Sequence, residues 1–127
     1  MAQAILNALD CPDGELSILI EDDKGIAGLN SEYLHRKGST NVIAFPMRDG
    51  KFPGVNPNVL GDVVISIEMA EREGNDAGTG MKRRFAELLI HGILHLFDYD
   101  HEKNSYQARK MGKKAAELLK IVEDIAL

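Results

Sequence analysis

Three of the chain's four histidines fall within eleven residues, H-G-I-L-H-L-F-D-Y-D-H from His91 to His101. No other feature restricts the fold as strongly. The stretch from Met81 to Phe97 has helical periodicity, with Phe85, Leu88, Leu89, Gly92, Ile93 and Leu96 at intervals of three and four. It therefore predicts a largely buried helix that nevertheless carries His91 and His95 one turn apart on one face. Residues four apart on a helix have Cβ atoms about 5–6 Å apart, close enough for both imidazoles to reach one cation. His101 is too far along to form a third rung and must return from a turn, for which Asp98, Tyr99 and Asp100 supply the residues. Three imidazoles with a fourth position open is how zinc is held when it does chemistry. A cysteine-rich structural site is excluded, because Cys11 is the only thiol. The expected metal ligands are His91, His95 and His101, for one Zn2+ per chain.

The spacing equals that of the extended zinc-protease motif H-E-x-x-H-x-x-G-x-x-H. Such proteases use the Glu beside the first His as general base, and here Gly92 stands in that place. The metal cradle is kept and the peptidase chemistry is lost.

The remaining elements follow from patterning. Ala2 to Leu9 reads as a short helix ended by Asp10-Cys11-Pro12-Asp13-Gly14. Glu15 to Glu21 reads as a strand, with Leu16, Ile18 and Ile20 set toward a core. A helix starting near Asp22 and Asp23 runs to about His35, and Val42 to Phe45, closed by Pro46, is a second strand. Met47 to Asn58 is a loop rich in Gly, Pro and Asn. Leu60 to Ile67 is a third strand, followed by a helical stretch from Glu68 to Glu73 and a Gly-Asn-Asp-Ala-Gly-Thr-Gly breaker. A last amphipathic helix spans about Ser105 to Ile125. The expectation is an α+β chain, residues 1–127 as one domain, without internal repeats. No run approaches the roughly 20 apolar residues of a membrane span, and Met1 to Asp10 lacks a signal-peptide pattern, so the expected address is cytoplasmic.

The formal net charge of −5 tells against indiscriminate nucleic-acid binding but permits a local basic groove. Two clusters could line one: Lys82-Arg83-Arg84, and Arg109-Lys110 with Lys113-Lys114. A solvated helix face explains each equally well.

The histidine segment resembles the YbeY family of bacterial endoribonucleases, whose hallmark is H-G-x-L-H-L-x-G-Y-D-H. It agrees at every named letter except Asp98, where the family has Gly. Thr40-Asn41-Val42-Ile43-Ala44-Phe45-Pro46 is similar to the family's T-[DN]-V-L-S-F-P, and Leu60-Gly61-Asp62-Val63-Val64-Ile65-Ser66 to its L-G-D-I-V-I-S. With Leu29-Asn30 and Tyr33, the resemblance runs from about Leu16 to Leu119.

It implies an α+β fold, a mixed sheet of about four strands packed with about five helices, and a zincin-like metal-site helix. The implied activity is zinc-dependent cleavage of single-stranded RNA in ribosomal RNA maturation, including 16S rRNA 3′-end processing and ribosome quality control. The implied partners are single-stranded rRNA and ribosomal small-subunit particles with their proteins, and no membrane. Within that frame His91, Asp100 and Arg36 are the candidate catalytic residues. Asp100 would serve as proton acceptor, and Arg36 stands in for the family Arg that follows Tyr33, a position held here by Leu34. Thr40, Asn41 and Lys37 could line the groove. Gly92, lacking a side chain, would let a phosphate approach the metal. Asp98 fits the usual Gly position if its backbone is left-handed. A metal-binding ribosome assembly factor with little catalysis, or a zinc hydrolase of another substrate class, remains an alternative.

Overall fold

A computed structural model describes residues 1–47, 58–99 and 104–126. The order of elements is α1 (Ala2–Ala8), β1 (Glu15–Glu21), α2 (Asp23–Leu34), β2 (Val42–Pro46), β3 (Val59–Ser66), α3 (Ile67–Ala77), α4 (Met81–Leu96) and α5 (Ser105–Ala126). Among these described residues five helices accompany a mixed sheet in the order β1-β3-β2, with β1 parallel and β2 antiparallel to β3. Among the described residues the sheet has three strands, against the four expected.

The central strand is β3, and both of its faces are covered, which is why it reads as a nearly continuous apolar run. Alternation along the strands divides the core. Val63 and Ile65, with Val42 and Ala44 of β2, face the main core built by α4, α1 and α5. Val64 and Ile43, with Phe45, face Ile26 and Leu29 of α2 on the opposite side. Gly61 lies at φ +140° beside an irregularity in the β1–β3 register, and a Cβ there would overlap the Phe45 carbonyl. The Gly of the L-G-D segment is thus required by backbone geometry.

The expectation that Ile18 and Ile20 face a core is corrected. They are 38% and 58% exposed, because β1 lies at the edge of the sheet while the helices cover β3 and β2. The helix after β3 also outruns its expected end at Glu73 and continues to Ala77. Gly74 does not break it: the residue is buried, and a Cβ there would overlap the Gly80 carbonyl, so the glycine permits close packing of backbone on backbone. The helix stops at Gly78, whose left-handed φ of +75° closes its C-terminus.

Two helix starts are tied to one another. Asp22 accepts from the Gly25 N–H at 2.7 Å, and Ser66 accepts from the Met69 N–H at 3.2 Å, each capping its own helix. Ser66 Oγ also donates to Asp23 at 2.7 Å, Arg72 pairs with Asp23 at 2.7 Å, and the Asp23 N–H donates to Glu68 at 2.8 Å. The Ser66 hydroxyl, opposed by partial burial and assisted by the Arg72 guanidinium, holds the Asp23 carboxyl below its usual range.

Candidate functional site

Helix α4 lies across β2 and β3, and eight of its residues, from Ala86 to Leu96, are buried. His91 and His95 stand on its one half-buried stripe. Their Nε2 atoms face each other at 3.0 Å, with ring centroids 4.6 Å apart and planes at 75°. Two nitrogens bound to one zinc at about 2.0–2.1 Å in tetrahedral geometry stand about 3.3 Å apart. The pair therefore has nearly the spacing of one edge of such a site, and the donor chemistry fits the metal. His101 and Asp100 lie outside the described residues. Among the described residues no group of three or more His, Cys, Asp or Glu side chains could hold a metal.

Gly92 does not open space for a phosphate. It is buried, and a Cβ on it would come within 2.6 Å of Val63 Cγ1 and 3.2 Å of Val42 Cγ2. Its role is to let α4 sit directly on β2 and β3, which sets the height of the two imidazoles above the sheet. Asp98 adopts the left-handed conformation expected of it, at φ +67°. Its N–H donates to the His95 carbonyl at 3.1 Å and the Tyr99 N–H to the Leu94 carbonyl at 3.1 Å, the two bonds of a Schellman terminus. The chain turns there, directly after the metal helix, which explains why Gly suits that position.

The expected groove residues separate. Asn41, at the mouth of β2, donates Nδ2 to both Glu73 oxygens at 3.3 and 3.4 Å. Glu73 also binds Arg84 at 2.9 Å, and Arg84 reaches Glu87 at 3.3 Å. Arg84 lies on the stripe of α4 that carries the histidines, two turns earlier. Burial alone would depress its pKa, but the hydrogen bonds and charges of Glu73 and Glu87 prevail and raise it. The i,i+3 spacing of Arg84 and Glu87 could have signalled their pairing. Nothing local in the sequence brings Glu73 of α3 to them. Arg83 pairs with Glu123 at 3.4 Å, so two members of the Lys82-Arg83-Arg84 cluster already have carboxylate partners.

Arg36 follows the α2 terminus in an exposed turn, its N–H donating to the Asn30 carbonyl at 3.1 Å. Buried Asn30 donates its side-chain amide to Gly38 at 3.0 Å and so fixes this turn. Leu34 is 37% exposed and is not a core residue. A separate pocket of about 340 Å3 opens on the α2 side of the sheet, lined by Leu19, Leu29, Tyr33, Phe45, Asp62 and Val64. With one carboxylate among apolar groups it offers no metal cradle.

The family described as Endoribonuclease YbeY matches residues 1–123. The chain is 47% identical over 124 residues to Endoribonuclease YbeY of Geobacter metallireducens, covering 97% of this chain and 83% of that one. It is 40% identical over 109 residues to that of Aquifex aeolicus, covering 86% and 71%. The solution structure of a Thermotoga maritima protein superposes with a TM-score of 0.68 at 21% identity, covering 95% of this chain and 75% of that one, and shows a shared fold.

Proposed function

The chain belongs to the YbeY family of endoribonucleases, and on that premise we propose that it cleaves single-stranded ribosomal RNA during maturation of the small ribosomal subunit, with zinc held by His91, His95 and His101. The observation that carries the metal assignment is the facing pair of Nε2 atoms on a helix half of whose residues are buried. Two half-buried imidazoles whose Nε2 atoms lie 3.0 Å apart can share a cation. A zinc ion there supplies Lewis acidity toward a phosphodiester.

The chain's own groups do the rest. Gly92 and the Schellman terminus at Asp98 hold α4 and its exit in place, so that His91 and His95 are presented as a rigid pair. Asn41, held by Glu73, borders the mouth of β2. Arg36 is assigned to bind phosphate and Asp100 to accept the proton from the attacking nucleophile.

The test compares zinc-reconstituted wild type with His95→Ala on single-stranded fragments of ribosomal RNA, mapping the new ends. Cleavage by wild type, abolished in the variant together with about one equivalent of zinc, is expected. A metal-loaded wild type that leaves RNA intact while residing on small-subunit particles would replace this reading with that of an assembly factor.

A further inference from the structure

Helix α5 carries a cationic face on an acidic protein. Tyr106, Arg109, Lys110 and Lys113 recur at i, i+3, i+4 and i+7 and are all exposed, Tyr106 by 63%. None of the three cations has a carboxylate partner among the described residues. The other basic cluster differs, since Arg83 and Arg84 are taken up by Glu123, Glu73 and Glu87. The face ends where Glu117 binds Lys114 at 3.4 Å. At its near end the Lys110 ammonium lies 5.7 Å from the Tyr99 ring, and Tyr99 directly follows the left-handed turn that closes the helix of His91 and His95.

We infer that Tyr106, Arg109, Lys110 and Lys113 form a track for the phosphodiester backbone of single-stranded RNA, leading to the histidine end of α4; this rests on the reading of that site as an RNA-cleaving one. Three cations on one face, without a carboxylate partner among the described residues, supply the charge complementarity that a polyanion needs. An exposed tyrosine among them offers a stacking surface for an unpaired base, which an acidic peptide would not use. A basic amphipathic helix can also bind anionic membranes, but only by inserting its apolar side. Here that side is consumed: Met111, Leu118 and Val122 are buried in the main core.

Binding is read by fluorescence anisotropy of a single-stranded oligouridylate with 2′-O-methyl sugars, which cannot be cut through the 2′-hydroxyl, between 50 and 200 mM salt. The doubly substituted Arg109→Gln, Lys113→Gln protein is compared with the charge-matched Lys24→Gln, Arg72→Gln protein. Each phosphate contact on a single strand contributes about 0.7 to the slope of log K against log salt, so losing two should flatten it by about 1.4. Over that fourfold rise in salt, wild type should lose about 7-fold more affinity than the patch variant. The control should keep the wild-type slope.

Equal flattening in both variants, an unchanged slope in the patch variant, or no binding by wild type would overturn the track. So would a patch variant that loses binding to phosphatidylserine vesicles while keeping its RNA slope. Cleavage assays on the same proteins separate the two claims. A wild type that binds with the expected slope but does not cut removes the nuclease reading and leaves the track. One that cuts, with a slope unmoved by the patch substitutions, does the reverse.

Discussion

Adding one methyl group between the two histidines tests how the metal helix is seated. In Gly92→Ala the new Cβ would sit 2.6 Å from Val63 Cγ1 and 3.3 Å from Val63 Cγ2. Carbon atoms prefer about 3.5–4.0 Å, so α4 and the sheet must part by up to about 1 Å. Overpacking of this kind costs about 1–3 kcal/mol, and the better helix propensity of Ala returns about 1 kcal/mol. The expected net loss is up to about 2 kcal/mol, or up to about 10 °C in Tm for a chain of this size. Val63→Ala removes two of the three nearest carbons and should be destabilising alone, yet should recover part of the loss in the double variant. A coupling of about 1 kcal/mol in the thermal double-mutant cycle is the expected signature. Zinc retention against a competing chelator should weaken in Gly92→Ala, since both imidazoles ride on the displaced helix. If Gly92→Ala melts above the wild-type temperature, or the two substitutions add without coupling, close packing at Gly92 does not seat the metal helix.

Asp98→Gly should stabilise the protein by about 0.5–1 kcal/mol, because it relieves the left-handed strain and removes a carboxylate from the negative end of α4. Thermal melts should rank Gly above Asn, Asn above Asp, and Asp above Ala at this position; Ala equal to Asp would refute the strain argument. The lowered pKa of Asp23 makes its ionised form a stabiliser that is fully present above the unfolded value near 3.8 and lost as pH falls through the lower folded value. The gap in Tm between wild type and Asp23→Asn should therefore be constant from pH 7 to about 5 and shrink below about pH 4. A gap that persists at pH 2 would mean that the charge on Asp23 is not what ties α2 to α3.

The elements of this protein were legible where their causes are local. Apolar residues at intervals of three and four marked α4, and the i,i+4 separation of His91 and His95 alone places both rings on one face, since helix geometry is the same in any fold. The left-handed turn at Asp98 was readable from the Gly that the family motif has there, because the steric cost of positive φ does not depend on the surroundings. Tertiary contact decided what no window of sequence contains. Gly92 lies against Val63 and Val42, nearly thirty and fifty positions away, so the reason for that glycine is the sheet beneath it. Gly74 looked like a breaker and proved to be a packing contact. The alternation of Ile18 and Ile20 is genuine, yet whether an alternating face is covered depends on strand order, and β1 fell at the edge. The sorting of the basic clusters was settled in the same way: Glu73 and Glu123 reach Arg84 and Arg83 from other helices, while no carboxylate among the described residues reaches Arg109, Lys110 and Lys113. A charge declares itself in sequence, but its neutralisation is a property of distance, and only the folded chain brings distant carboxylates near.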